Sequence, residues 1–271
     1  MKIKEYLGES IGTFILVLFG CASVALAVLF GALNSLLEVA LVWGFGVALA
    51  IFTVRNSCPA HLNPAVSIAM CFAKKLEFKK LAGYILSQLF GAILAGLVLY
   101  AIFGSAIDHF EATNHILRGS PESQQTAMIF GEFYPNPGFK DQLSISTLGA
   151  CLLEGFGTFL LVFMIFRLTE KEKDINNSTP LLIGLSVTII ICLVAPFTQA
   201  GLNPARDFGP RLVAYFMGWG SAAFPTANFG FFTVYILSPI LGGILAGFCH
   251  RLLSNQAHLP QSELKHEAKN N

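Results

Sequence analysis

Three blocks of this sequence occur twice, in the same order. ESIGTFILVLF, beginning at Glu9, matches EGFGTFLLVFM, beginning at Glu154. HLNPAV, from His61, matches GLNPAR, from Gly201, and YILSQLFGAILAG, from Tyr84, matches YILSPILGGILAG, from Tyr235, at nine of thirteen positions. The separations are 145, 140 and 151 residues, so the chain is one unit duplicated. A repeat of this kind constrains the fold before any single motif does. Each copy holds three apolar runs long enough for a helix to cross a bilayer: 6–30, 36–54 and 81–103 in the first, 146–167, 180–199 and 231–253 in the second. Three crossings is an odd number, so the second copy must enter from the opposite face. The expected architecture is an inverted repeat, whose binding elements meet near the membrane midplane.

Composition supports the membrane reading. The chain of 271 residues is 54% hydrophobic and 12% charged, about half the charge of an ordinary soluble domain. Its mean hydropathy is +0.65. The 25 phenylalanines suit lipid-facing surface, and the 25 glycines let helices approach closely. A net charge of +1 gives no reason to expect a nucleic-acid partner. The six cysteines, Cys21, Cys58, Cys71, Cys151, Cys192 and Cys249, lack metal-ligand spacing and read as small core hydrophobes. Lys2 and Lys4 before an apolar run resemble a signal peptide, but the run is too long and no A-x-A site follows. It reads as a span.

Two further apolar stretches are too short to cross. Pro64–Phe72 and Pro204–Phe216 would reach only about 14–20 Å as helices, half a bilayer. Each opens on Asn-Pro, with the asparagine as N-cap and the proline at N1, where its missing N–H is not needed. Each is therefore a candidate half-helix. The inverted repeat would bring the two N-termini together at the midplane, each carrying about half a positive charge. Asn63 and Asn203 would hold amide donors there. The segments before them, Cys58–Leu62 and Gln199–Leu202, are expected to be extended and to offer a line of carbonyl acceptors. Such a site suits a neutral, oxygen-bearing solute and repels cations and protons. N-capping alone would explain one Asn-Pro-Ala, but it does not explain two that both stop at half-span.

Charged and polar residues within apolar sequence are functional candidates by default. Arg206 is expected to form an outer constriction that donates to solute hydroxyls and excludes cations. The alternative is an interfacial arginine paired with Asp207. Trp43 sits mid-span, away from the belt that tryptophan usually occupies at span ends, and is expected to face a pore. Glu9 and Glu154, at equivalent repeat positions, could carry ions or protons. They could also brace the irregular backbone of their half's loop, and their symmetry favours bracing. His61 is expected to brace the loop or line the path, since no second metal ligand stands near it. No metal, nucleotide or catalytic motif is apparent.

The basic residues fall mostly on one side: Lys2, Lys4, Lys74, Lys75, Lys79, Lys80, Arg167, Lys171, Lys173, Arg251, Lys265 and Lys269. Arg118, Lys140, Arg206 and Arg211 fall on the other. Positive charge stays on the cytoplasmic side, which puts both termini there. The expected organisation is a channel domain over 1–255, with repeats at about 6–103 and 146–253. An external loop over 104–145, with short structured pieces, joins them, and a polar, disordered tail covers 256–271.

Six spans, two half-helices, HLNPAVSIA and NPARDFGPR together resemble the major intrinsic proteins, the aquaporin family, over about Glu9 to Leu253. Asp207 after Arg206, the loop FEATNHILRGSPES followed by FYPNP, and GWG at 218–220 resemble its aquaglyceroporin branch and bacterial glycerol facilitators in particular. The resemblance implies an all-α, aquaporin-like membrane fold that conducts passively, with no enzymatic activity, no cofactor and one pore per subunit of a homotetramer. It implies Asn63, Pro64, Ala65, Asn203, Pro204 and Ala205 as the paired motifs, and Glu9, Glu154 and Asp207 as structural support. Lining carbonyls would come from Pro59, Ala60, His61, Gln199, Ala200 and Gly201. The selectivity filter falls on Trp43, Ile191, Ala200 and Arg206. Two of these depart from glycerol facilitators, which have phenylalanine where this chain has Ala200 and glycine where it has Ile191. Pro59 also stands in place of a usual glycine.

The expected function is a channel in the cytoplasmic membrane for glycerol and similar small uncharged solutes, with some water. A channel for water, urea or a neutral metalloid acid is the alternative. A secondary transporter, which inverted repeats and Glu9 and Glu154 could serve, is a third.

Overall fold

A computed structural model describes residues 2–170, 178–225 and 229–256. Lys171, Lys173, Lys265, Lys269 and the tail from residue 257 lie outside the described residues. Among the described residues every regular element is helical, and six helices are long and apolar enough to cross a membrane. These are α1 (Lys2–Phe30), α2 (Leu36–Val54), α4 (Phe78–Thr113), α6 (Thr147–Thr169), α7 (Ser178–Thr198) and α9 (Gly230–Ser254). The half-helices are α3 (Pro64–Phe72) and α8 (Pro204–Ala214), and α5 (Gln124–Ala127) is a single turn in the connecting segment.

Local chemistry sets several boundaries. Ser35 and Glu38 form a reciprocal capping box at the start of α2, with bonds of 3.2 and 3.0 Å. Ser146 caps α6 by accepting from the Gly149 N–H at 3.1 Å. In α9 the stretch Thr233–Leu237 winds as a π turn. Pro239 has no N–H to give the Tyr235 carbonyl, and the Ser238 hydroxyl bonds back to the Thr233 carbonyl at 2.8 Å.

The two copies interlock. α1 packs on α4 and α6 on α9, the same pairing in each repeat, while α2 packs on α7 across the pseudo-twofold. The half-helices are exchanged: α3 of the first repeat packs on α9 of the second, and α8 packs on α4 of the first. Close approach requires glycine at two equivalent points. A Cβ on Gly91 would run into the Ser10 carbonyl of α1, and one on Gly242 into the Gly155 carbonyl of α6. The interior is mainly apolar but also holds charged and polar groups, while large apolar side chains face outward. Glu9, Thr13, Gln88, Glu154, Thr158, Asp207 and Arg211 are buried, whereas Phe45, Phe90, Phe156 and Phe248 are exposed on the outside of the bundle.

Two boundaries differ from the sequence reading. α4 runs ten residues beyond its apolar segment, to Thr113, because Gly104, Ile107 and Glu111 keep one helical face buried after the lipid-like composition ends. The first part of the expected external loop is therefore helix. Arg118 holds the extension with ion pairs to Asp108 (2.6 Å) and Glu111 (2.8 Å), and its guanidinium lies 4.2 Å from the ring of buried Trp219. α8 ends at Ala214, not Phe216, and passes into a wider turn over Tyr215–Trp219 that breaks at Gly218, φ +108°.

Candidate functional site

The asparagines of the two short motifs sit at the junction of the half-helices. The Asn63 side-chain oxygen accepts from the Ala65 N–H at 2.8 Å; the Asn203 oxygen accepts from Ala205 and Arg206 at 3.1 and 3.2 Å. Pro64 and Pro204 follow at N1. The amide nitrogens cross: Asn63 donates to the Leu202 carbonyl at 2.9 Å and Asn203 to the Leu62 carbonyl at 2.8 Å. The sequence reading left these amides free, but each spends one N–H on the other repeat's loop. An amide carries two donors, so one per asparagine remains.

The loops before the asparagines are not the simple extended segments expected. Ala60 and Leu62 have φ of +54° and +53°, and Gln199, Ala200 and Leu202 have +62°, +62° and +55°. Two buried carboxylates hold this unfavourable backbone. Glu9 accepts from the N–H groups of His61 (2.9 Å) and Leu62 (2.7 Å), and from the Gln88 side chain (2.8 Å). Glu154 accepts from the N–H groups of Gly201 (2.9 Å) and Leu202 (2.8 Å), and from the Thr198 hydroxyl (2.6 Å). In a trans peptide the C=O points opposite the N–H. The carbonyls of Ala60, His61, Ala200 and Gly201 therefore face away from the glutamates.

Those four residues line a cavity of about 310 Å³. Asn63, Asn203, Leu62 and Leu202 also border it, and Leu16, Val47, Ile51, Leu161, Ile183 and Val187 supply apolar wall. The result is an amphipathic path, with backbone oxygens and amides along one strip and hydrocarbon around the rest. Pro59 borders it as well. Gln199 does not: it lines a second, outer cavity of about 400 Å³, and its side chain ties the loop down by accepting from the Phe133 N–H at 2.8 Å. The His61 ring nitrogen Nδ1 lies 3.2 Å from the Ser67 hydroxyl, and that hydroxyl accepts from Gln88 at 2.8 Å. At the inner end, Lys75 borders the first cavity with its amino group 5.0 Å from the Phe166 ring. Partial burial holds its pKa below the usual lysine value.

Trp43, Ile191 and Arg206 line both cavities and so stand between them. Ala200 borders the inner side. The Arg206 guanidinium lies 4.0 Å from the Trp43 ring centroid, a cation–π distance. Its ion-pair partner is Glu132 rather than Asp207. Asp207 instead pairs with Arg211, with bonds of 2.6 and 3.1 Å, and accepts from the Glu132 N–H at 2.7 Å. Arg211 also donates to the carbonyls of Glu132 and Ala223. Arg206 and Asp207 are sequence neighbours on a helix, where i and i+1 do not face each other, whereas Asp207 and Arg211 at i and i+4 do. Sequence reasoning missed Glu132, Gln88, Thr198 and Arg211. Of these only the Asp207–Arg211 spacing carried a signal. Among the described residues there is no cluster of three His, Cys, Asp or Glu that could hold a metal.

The paired half-helices, their crossed asparagines and the buried Arg206 between the two cavities coincide with a match to the family model described as major intrinsic protein, over residues 1–250. The chain belongs to the major intrinsic protein family. A glycerol uptake facilitator protein of Pseudomonas aeruginosa is 38% identical, covering 97% of this chain and 93% of its own. That of Escherichia coli K12 is 37% identical over 94% and 89%. The X-ray structure of the aquaglyceroporin from Plasmodium falciparum superposes with a TM-score of 0.75 at 25% identity, covering 91% of this chain and 94% of that one. Within the major intrinsic proteins these relatives are channels and facilitators, and the chain is a multi-pass membrane protein of the same fold.

Proposed function

We propose that this protein is a passive channel for glycerol and related small uncharged solutes, with some water. The observation that carries the reading is the amphipathic path itself. A polyol has a hydroxyl edge and a hydrocarbon edge. The strip of carbonyls from Ala60, His61, Ala200 and Gly201, joined by the spare amide hydrogens of Asn63 and Asn203, fits the first edge. The apolar wall fits the second. Each solute–path hydrogen bond replaces one to water, with a net value of only about 1 kcal/mol. Passage is therefore a series of small steps.

The filter is assigned to Trp43, Ile191, Ala200 and Arg206. Because Arg206 is paired with Glu132, its charge is largely balanced, and cation exclusion falls mainly to the two half-helix N-termini at the midplane. Glu9 and Glu154 act as loop supports. With three donors on each carboxylate, neither is poised to shuttle a proton, which argues for a channel over a coupled carrier. The solute named for the curated relatives supports glycerol. The basic residues support cytoplasmic termini in the cytoplasmic membrane. The exposed apolar flanks suit lipid and the neighbouring subunits of a homotetramer. Stopped-flow light scattering on proteoliposomes tests the reading. Glycerol entry should clearly exceed that into empty vesicles, and entry no faster than the lipid background rejects it.

A further inference from the structure

Glu132 sits in the wall of the constriction with 2% of its surface exposed, and it lines the outer cavity beside Arg206, Trp43 and Ile191. Its backbone is clamped at both ends. The N–H donates to Asp207 at 2.7 Å, and the carbonyl accepts from Arg211 at 2.5 Å. The backbone that carries the carboxylate is thereby rooted in the buried Asp207–Arg211 pair. One oxygen, Oε1, meets Arg206. The other, Oε2, is buried and has no hydrogen-bond partner. A buried acceptor left without a donor costs about 1–3 kcal/mol, and more when it is charged, so its complement has to be something that visits the constriction. The positive N-termini of the two half-helices, facing the same path, disfavour a cation there. A neutral O–H donor remains.

We infer that Glu132 is a specificity-determining residue that accepts a hydrogen bond from a solute hydroxyl through Oε2 while Arg206 donates to the neighbouring hydroxyl oxygen. An ion pair presents a donor and an acceptor side by side, and two adjacent hydroxyls on one carbon chain present the complementary acceptor and donor. The solute's C–H edge then lies on Trp43 and Ile191, the apolar members of the same constriction. A 1,2-diol can satisfy both groups at once. A 1,3-diol reaches only one of them, and leaving a buried polar group unpaired is the strongest means a site has of rejecting a close analogue. This inference rests on the channel reading and refines it.

The test uses the full-length protein in proteoliposomes, with 1,2-propanediol and 1,3-propanediol as probes and glycerol and water measured in the same vesicles. After subtraction of lipid leakage, the wild type should pass the 1,2-diol at least threefold faster than the 1,3-diol. Glu132→Ser should bring that ratio to near one, and Glu132→Asp should keep most of it. Equal wild-type passage of the two diols overturns the inference without recourse to any variant. So does a Glu132→Ser protein that slows water and both diols in the same proportion, because Glu132 would then only position Arg206. Glycerol entry into wild-type vesicles reports separately on the channel reading, so the two failures are distinguishable.

Discussion

Replacing Glu154 tests how the pore backbone is held. This carboxylate is fully buried, and its two oxygens accept from Thr198, Gly201 and Leu202 at 2.6, 2.9 and 2.8 Å. Hydrogen bonds to a charged group contribute about 1.5–3 kcal/mol each, about 5–9 kcal/mol for the three. The loop they hold places Gln199, Ala200 and Leu202 at positive φ, at about 1–2 kcal/mol per non-glycine residue, or about 3–6 kcal/mol in all. The two terms are of similar size, so the loop keeps its shape only while the carboxylate is present. Glu154→Gln keeps one acceptor oxygen but turns an N–H toward a backbone N–H. One bond is lost, the two that remain become neutral, and two donors face each other, a penalty of about 4–6 kcal/mol. For a chain of this size that corresponds to a fall of roughly 10–20 °C in unfolding temperature. Unfolding of membrane proteins is seldom reversible, so variant and wild type must be scanned at one rate in one detergent. Glycerol permeability should fall with it, since the carbonyls of Ala200 and Gly201 lose their orientation. An unfolding temperature within a degree or two of wild type, with glycerol flux unchanged, would show that Glu154 does not hold the loop.

Ala200→Phe combined with Ile191→Gly moves the bulk at the constriction to the other wall and should change the glycerol-to-water permeability ratio severalfold; an unchanged ratio would remove these positions from the filter. Asn203→Asp can still cap α8 but cannot donate to the Leu62 carbonyl, and it places an anion against the midplane dipoles. Glycerol flux should drop at least tenfold and cation leakage should rise, measured by a potential-sensitive dye; normal flux without leakage would contradict the assigned role. Gly242→Val puts a side chain into the Gly155 carbonyl where α6 and α9 cross and should leave little folded protein in detergent, judged by size-exclusion profile. A monodisperse protein of normal yield would show that this approach can relax.

Much of this fold was legible because membrane thickness sets a length scale. Spans and half-spans separate on residue count alone, and the Asn-Pro pair fixes where α3 and α8 begin. The duplication then forces the inverted arrangement, since three crossings cannot return the chain to its starting side. What composition hid was structure outside the apolar zone. The extension of α4 follows Gly104, Ile107 and Glu111, a helical spacing carried by residues too polar to register as a span. The loops also resisted reading. Positive φ at Ala60, Leu62, Ala200 and Leu202 runs against those residues' own preference, and only the distant Glu9 and Glu154 stabilise it. The partner of Arg206 was hidden for a similar reason. Glu132 lies in the long connecting segment, and nothing local ties it to α8. Asp207 looked like the natural partner by adjacency, yet helix geometry points it to Arg211.

The protein conducts and does not carry. Counterflow decides this most directly: vesicles preloaded with unlabelled glycerol are diluted into a trace of labelled glycerol, and internal label is followed with time. A passive channel lets the label rise to equilibrium with the outside and no further, whatever the preload, the pH gradient or the membrane potential. A transient overshoot of label above its equilibrium level would mean that one site alternates between the two faces, and would contradict the account.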